Sequence, residues 1–136
     1  MNAVYTSDQK RYLEDHMWAV LATGRTDGSP QQSMVGYVVD GEGRLVISAK
    51  RYTAKWKNAV RNSKVSVTVP DGRTHLLIYG TAETIEADPL RAELTADVFA
   101  RITNTDRPDP TSLVPTLDEQ ERTIIRITPE KVLFSE

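Results

Sequence analysis

The sequence predicts a mainly β domain: an antiparallel barrel, closed or half-closed, with flanking helices. Strand-like runs follow one another in consecutive groups and do not alternate strictly with helices, which argues against a doubly wound parallel sheet. Residues 64–69 alternate between valine and polar side chains, which is the pattern of a half-buried strand. Asp27-Gly28, Asp40-Gly41 and Pro70-Asp71-Gly72 supply the short turns that such a sheet requires.

The individual elements are predicted in order along the chain. Strands are expected at residues 16–23, 31–39, 44–48, 64–69, 74–87, 122–127 and 131–134. Helices are expected to begin with Ser7 as a cap, at Thr53, and with Pro89 in the first helical position. The third helix has its predicted buried stripe at Leu90, Leu94, Val98 and Ile102. Residues 103–117 contain three prolines and are expected to form an irregular loop. Gly80 lies inside a strand, where glycine often marks a bend or a close backbone approach.

Length and composition restrict the class of protein. With 136 residues, the chain is expected to form one domain over residues 1–136, large enough for a core without disulfides or metals. It contains no cysteine, which excludes disulfides, thiolate zinc sites and iron–sulfur clusters. We expect a cytoplasmic protein without a signal peptide or a membrane-spanning segment. The net charge of -2 argues against general nucleic-acid binding.

Residues 48–62 concentrate basic side chains at a predicted strand end and helix start. The basic residues are Lys50, Arg51, Lys55, Lys57 and Arg61, and no acidic residue interrupts them. Free N–H groups at a helix start, together with the positive end of its dipole, favour an anion. The same stretch is also compatible with a solvated helix face.

Helical geometry restricts which of these side chains can share one anion. Lys55 and Asn58 fall on one face and Lys57 with Arg61 on another, because each residue turns by about 100° around the axis. Lys57 and Arg61 are expected to be solvated or to meet a more distant negative group. The side chains expected around a phosphate are those nearest the helix start: Ser48, Lys50, Thr53 and Lys55.

Conventional catalytic machinery is not evident in the sequence. His16 and His75 are far apart and show no metal-binding spacing, so no metal site is expected. No nucleophile elbow or Walker loop is present, and Glu83 and Glu86 point to opposite faces of a strand. A protein of this kind can take its reactivity from a cofactor, for which the basic stretch would be the phosphate anchor.

Three sequence blocks carry a resemblance to a known family. They are residues 19–23 followed by Asp27-Gly28-Ser29-Pro30-Gln31, residues 45–48 running into Lys55-Trp56-Lys57-Asn58, and Gly80-Thr81-Ala82-Glu83. Their order and spacing resemble the split-barrel flavin and deazaflavin oxidoreductases related to pyridoxamine phosphate oxidase. In that family the last two blocks are a K-x-x-N motif and a G-x-A-E strand.

The resemblance implies a homodimer of split β-barrels with two cofactor sites at the subunit interface. A small-molecule substrate is expected with it, whereas the net charge and the lack of a long apolar run argue against a nucleic-acid or membrane partner. The short chain is similar to the branch that uses the deazaflavin coenzyme F420, whereas larger relatives use FMN. The positions that correspond to cofactor-binding residues are Gln32, Ser33, Met34, Val35, Ser48, Ala49, Lys50, Thr53, Lys55 and Asn58.

The sequence departs from the family pattern at the phosphate site. Ala49 stands where many relatives have threonine, and Thr53 where they often have arginine. These losses weaken the site unless Lys50 or Arg51 substitutes. The acidic oligoglutamate tail of F420, which FMN lacks, would suit the remaining basic groups: Arg51, Lys57 and Arg61.

Several functions stay open, and no catalytic residue is assigned. The first is hydride transfer between F420 and an unsaturated small molecule, with an FMN-binding, oxidase-like enzyme as the alternative. The second is non-catalytic binding of a cofactor, haem or another planar ligand. The third is a nucleic-acid-binding barrel, which the missing pattern of exposed aromatic residues and the net charge both oppose.

Overall fold

The computed structural model describes residues 4–135. This range contains seven strands and four helices, in the order α1 (Ser7–Asp15), β1 (Trp18–Gly24), β2 (Pro30–Gly36), β3 (Val38–Val39), β4 (Leu45–Lys50), α2 (Ala54–Arg61), β5 (Lys64–Asp71), β6 (Thr74–Ile85), α3 (Leu90–Thr103), α4 (Pro110–Glu119) and β7 (Arg122–Ser135). The cap of α1 is Thr6 and not the predicted Ser7, because Thr6 and Gln9 exchange the two hydrogen bonds of a capping box.

The seven strands form one antiparallel sheet in the order β2-β1-β5-β6-β7-β4-β3. The predicted strand 31–39 is two strands at opposite ends of this order, because the chain pairs with β1 up to Gly36 and with β4 from Val38. Tyr37 lies at this crossing, fully buried, and its hydroxyl donates to the carbonyl of Leu13. β2 and β4 thereby come into contact, and the sheet curls into a half-open barrel. The predicted fold class is confirmed.

Two clusters of buried side chains hold the elements in place. The larger cluster fills the barrel with residues such as Leu21, Ile47 and Ile78. The smaller cluster lies between α3 and the outer side of β4 and β7, and its members are Val46, Ile85, Leu94, Val98 and Ile124. The predicted stripe of α3 is correct for Leu94, Val98 and the partly buried Ile102, whereas Leu90 is exposed. β4 and β7 are therefore covered on both faces.

The predicted loop 103–117 is wrong for most of its length, because residues from Pro110 onward form α4. Asp109 caps this helix by accepting a hydrogen bond from the backbone N–H of Thr111, and Pro110 occupies a first-turn position where no N–H is needed. Pro89 is likewise the N-cap of α3 and not its first helical residue. In both places proline marks a helix start.

The two predicted closing strands are one continuous strand, β7, and Gly80 explains how it passes Pro129. Gly80 pairs with Pro129 at a register shift between β6 and β7. A Cβ atom on Gly80 would lie 2.5 Å from the carbonyl oxygen of Thr128, so only glycine allows this approach. The prediction of a close backbone approach at Gly80 is confirmed.

None of the helices between residues 4 and 135 is long and apolar enough to cross a membrane.

Candidate anion-binding site

Three cationic side chains converge where β4, α2 and β7 meet. Lys50 ends β4, Lys55 lies in the first turn of α2, and Arg122 begins β7. Lys50 and Arg122 are partners in the antiparallel pairing of β4 with β7. Because side chains alternate along a strand, Lys50 shares the side of β4 that Val46 presents to α3. We refer to Lys50, Lys55 and Arg122 as the cation cluster.

The cation cluster has no acidic counterpart within the part of the chain that the structure describes. Every ion pair found there within 4.0 Å involves other residues. Burial of Lys55, followed by the nearby charges of Arg122 and Lys50, lowers the pKa of its ammonium group below the ordinary lysine value. An anion bound here would remove this repulsion.

Arg122 is held by three different elements. Its Nε donates to Oε1 of Gln120 at 2.7 Å, and its Nη1 donates to Oγ of Ser48 at 3.2 Å. The guanidinium carbon lies 5.5 Å from the centre of the Phe99 ring, on α3. These contacts fix the guanidinium group beside the predicted phosphate residues without neutralising it, since all three partners are uncharged.

The start of α2 leaves its first N–H groups open. Thr53 is the N-cap, but its side chain makes no capping hydrogen bond, because its hydroxyl donates backwards to the carbonyl of Lys50 at 2.7 Å. The first-turn N–H groups of a helix have no partner within the helix, and they attract anions. The predicted group of Ser48, Lys50, Thr53 and Lys55 therefore meets at the junction of β4 and α2.

Asn58, which was predicted to share a face with Lys55, has its side-chain amide engaged within the protein. Its side chain is buried, and its Nδ2 donates to Oγ1 of Thr23 at 3.1 Å. Its Oδ1 accepts a hydrogen bond from Arg61, whose Nη2 also donates to the carbonyl of Gly24. This network connects α2 to β1 and uses the amide of Asn58 for packing.

The four predicted residues on β2 do not share one face. Gln32 and Met34 are exposed on the outer side of the sheet, whereas Ser33 and Val35 point inward with the residues of β1 that line the core. The hydroxyl of Ser33 accepts a hydrogen bond from Gln31. Ala49, on β4, is 2 % exposed and belongs to the core. A flat ring could contact one of these faces but not both.

Two other basic residues of the stretch are already engaged. Arg51 lies 3.6 Å from a carboxylate oxygen of Glu86, and Arg61 holds the end of α2 as described. Lys57 is exposed, on a different face from Lys55. Sequence reasoning missed Arg122, which lies beside Lys50 and Lys55 as the third member of the cation cluster. Only the register of β4 against β7 reveals its position.

The cation cluster lies apart from two cavities beside β3. One, of about 270 Å³, lies between β3 and α1, and the other, of about 540 Å³, lies between β3 and α3; no member of the cation cluster lines either of them. Among the described residues, no group of three or more histidine, cysteine, aspartate or glutamate side chains is placed to hold a metal ion. The arrangement can bind and orient an anion.

Comparison with known proteins identifies the family. A family profile described as pyridoxamine 5'-phosphate oxidase matches residues 6–136, nearly the whole chain. The protein belongs to the pyridoxamine 5'-phosphate oxidase family. The resemblance seen in the three sequence blocks is thereby confirmed. Members of this family bind flavin-like cofactors, and a phosphate carried by such a cofactor fits a cluster of cations that lacks carboxylates.

Solved structures share this fold at low sequence identity. A conserved hypothetical protein from Mycobacterium tuberculosis has a TM-score of 0.79 at 21% identity, over 100% of this chain and 88% of its own. A structure described as an F420 reductase has a TM-score of 0.69 at 24% identity, over 98% of both chains. A haem storage protein from Vibrio cholerae has a TM-score of 0.70 at 21% identity, over 94% of this chain and 92% of its own. A search of curated proteins found no match.

Proposed function

We propose that this protein is an F420-dependent oxidoreductase that transfers a hydride between the deazaflavin and an unsaturated small molecule. The observation that carries this proposal is the cation cluster, in which Lys50, Lys55 and Arg122 lie close together without a carboxylate. The same stretch was selected from the sequence as a phosphate anchor. The F420 reductase among the structures of the same fold supports the choice of cofactor.

In this proposal the cofactor and the protein have different roles. When bound, the deazaflavin supplies the hydride, which is chemistry that protein side chains do not provide. Lys50, Lys55 and the free first-turn N–H groups of α2 hold the phosphate, which fixes the ring relative to the barrel. The protein orients the reactants and excludes water from them, and the proton comes from solvent.

The choice between F420 and FMN depends on what lies beyond the phosphate. Of the three residues that would suit the acidic tail of F420, Arg51 and Arg61 are engaged with Glu86 and with the end of β1. Lys57 is the one that stays exposed and without an ion pair among the described residues. Tail recognition by this chain would therefore depend on Lys57, and FMN is the alternative cofactor.

The proposal includes a homodimer with the cofactor site at its interface. One outer face of the barrel carries exposed apolar side chains on β1, β2 and β6: Trp18 is 49 % exposed, Met34 63 % and Tyr79 48 %. Exposed apolar surface of this kind is typical of protein–protein contacts. The cation cluster lines neither of the two cavities beside β3, and in the proposed dimer a second copy would supply a wall for the ring.

The direct test is an absorption titration of the protein with F420 and, separately, with FMN. We expect F420 binding, and we expect Lys55→Ala to weaken it by about 2 kcal/mol, the value of a charge-assisted contact, or about 30-fold. Lys64→Ala is the control, since it removes a lysine charge at an exposed position on β5, outside the cation cluster. Sub-micromolar binding of FMN without binding of F420 would overturn the choice of cofactor.

The dimer has its own test by light scattering. Met34→Asp places a charge in the apolar outer face and should shift the protein toward monomer. Val60→Asp is the matched control, because Val60 is an exposed apolar residue on α2, 54 % exposed and away from the sheet. A monomeric wild-type protein, or a dimer that both variants leave intact, would contradict the assignment of this face.

A non-catalytic ligand-binding protein is the second candidate. The specific observation in its favour is that the described neighbours of the cation cluster include no histidine or carboxylate that could exchange a proton. Turnover separates the two functions. If the protein binds reduced F420 but leaves it reduced in the presence of enones, quinones and tetrapyrroles, the enzyme proposal fails.

A further inference from the structure

We infer that Arg122 is a direct ligand of the cofactor phosphate and sets the preference of the site for phosphorylated over unphosphorylated ring compounds. This inference rests on the proposed function. It adds a residue that the sequence motifs do not contain, brought to the site by a strand from the far end of the chain.

The hydrogen bonds of Arg122 leave three of its guanidinium N–H groups free of a partner among the described residues. Arginine has five N–H groups. One is used on Gln120 and one on Ser48, so three remain, on Nη1 and Nη2, without a partner in the described structure. Two adjacent nitrogens in one plane match two oxygens of a phosphate, which is the geometry that favours arginine for this anion.

The contacts of Arg122 also hold it in place before a ligand arrives. Contact with the Phe99 ring and the two hydrogen bonds restrict a side chain that otherwise has much rotamer freedom. A ligand that binds to an already ordered side chain loses less entropy on binding. Preorganisation of this kind is expected at a binding site.

Another arginine on the same strand shows what a structural role looks like. Arg126 points to the same side of β7 as Arg122, and its Nη2 lies 3.1 Å from a carboxylate oxygen of Glu83. Arg122 instead lies close to Lys50 and Lys55, and no carboxylate among the described residues pairs with it within 4.0 Å. The uncompensated charge is the feature that a purely structural arginine would not need.

The experiment compares two ligands by fluorescence titration: F420 and the same deazaflavin with an unphosphorylated ribitol chain. We expect Arg122→Gln to weaken F420 binding by about 30-fold, as for a lost charge-assisted contact. Binding of the unphosphorylated compound should change by less than about threefold, because it makes no contact with Arg122. Arg51→Gln removes a charge one residue beyond Lys50 and should leave both affinities within about threefold.

The ratio of the two affinities distinguishes a ligand from a merely structural residue. If Arg122→Gln weakens both compounds equally, Arg122 only shapes the site and the inference is wrong. If the variant does not fold, Arg122→Lys serves instead; it retains the charge but not the fork, and about a fivefold loss for F420 alone is expected. An unchanged F420 affinity in that variant overturns the inference.

The wild-type titration keeps this inference separate from the proposed function. If wild-type protein binds F420 and the variants do not change the ratio, the proposed cofactor stands and Arg122 is not a ligand. If wild-type protein binds FMN in place of F420, the same ratio is measured with FMN and riboflavin, and the inference is judged on that pair. If it binds none of these compounds, both proposals are wrong.

Discussion

Arg91 and Arg122 are neighbours in the structure with opposite electrostatic surroundings. Arg91 is 5 % exposed and donates to both carboxylate oxygens of Asp88, at 2.7 and 3.1 Å, and to Asp118 at 2.8 Å. Arg122 has only neutral hydrogen-bond partners and lies near two lysines. Arg91 also donates to the backbone carbonyl of Arg122 at 3.2 Å.

This difference distinguishes an arginine that stabilises the fold from one that is proposed to bind a ligand. A buried cation with matched carboxylates stabilises its own fold position, and here it fixes α3, α4 and the start of β7. A cation beside other cations and without such partners decreases stability, and the proposed phosphate would offset this cost. The paired arginine therefore supports the backbone from which the unpaired one projects, and each prediction below tests one side of this contrast.

The largest expected loss of stability follows removal of Arg91, the arginine that is paired with carboxylates. Arg91→Leu should lower the free energy of unfolding by about 3 kcal/mol, because it leaves Asp88 partly buried without its cation. Urea denaturation measures this. Arg107→Leu is the control, since the Arg107–Asp97 pair has side chains 45 % and 44 % exposed and should cost less than about 1 kcal/mol. Equal losses in the two variants would contradict the special role of Arg91.

Removal of a charge from the cation cluster is expected to raise the free energy of unfolding, not to lower it. Lys55→Met should raise the free energy of unfolding by roughly 0.5–1 kcal/mol, because it removes a half-buried charge beside Arg122 and Lys50. The folded-state pKa of Lys55 is lowered, so its cost is full at neutral pH. That cost decreases as the pH rises through the folded value toward the ordinary lysine pKa. Lys57→Met should leave stability unchanged, and a loss for Lys55→Met would break the contrast.

A surface pair gives a smaller, pH-dependent effect. The ring nitrogens of His16 face the carbonyl of Tyr12 at 2.7 Å and Oδ2 of Asp71 at 2.9 Å, so only the protonated ring can donate to both. Burial lowers the pKa of His16, but the hydrogen bonds to Tyr12 and Asp71 outweigh it and raise the pKa overall. Protonated His16 therefore stabilises the folded protein fully below the pKa of histidine in the unfolded state, about 6.5. This stabilisation is lost as the pH rises through the higher pKa of His16 in the folded state.

His16→Gln measures this stabilisation. The wild type should exceed the variant by less than about 1 kcal/mol at acidic pH, since Asp71 is mostly exposed, and the advantage should disappear at alkaline pH. Denaturation curves at about pH 5.5 and about pH 9 give the comparison. An advantage that increases with pH would show that the neutral ring makes the stabilising contacts.

The smallest effect is expected for an exposed pair inside the basic stretch. Arg51 and Glu86 are 42 % and 49 % exposed and 3.6 Å apart, so Arg51→Gln should change stability by less than about 0.5 kcal/mol. Thermal denaturation is sufficient to measure it. A large loss would mean that the pairing of Arg51 supports the start of α2.

Local patterns were sufficient for most of the fold. The valine alternation of residues 64–69 predicted β5, and the four-residue spacing of Leu94 and Val98 predicted the buried side of α3. Gly80 predicted a close approach between two backbone segments, because a side chain at this position would collide with β7. Proline was less reliable, since Pro110 and Pro115 led to the prediction of a loop where α4 forms, with Pro110 at its start.

The candidate site was only half accessible from the sequence. Ser48, Lys50, Thr53 and Lys55 lie within one strand–helix junction, so their proximity follows from local geometry. The buried contacts of Asn58 were not predicted, because helical spacing gives the relative direction of two side chains but not which direction is the core. The split of Gln32 and Ser33 between two faces follows from strand alternation, once the register with β1 is known.

By itself, then, the sequence determined the antiparallel barrel class, the helix that follows β4 and the concentration of basic residues there, because all of these depend on neighbours a few positions apart. The tertiary structure alone decided that Arg122 joins Ser48 across 74 positions and that Arg51 does not join the site. It also decided that one predicted strand is divided between the two edges of the sheet. Strand register and barrel closure are set by the packing of the whole core, and no local window of sequence contains that information.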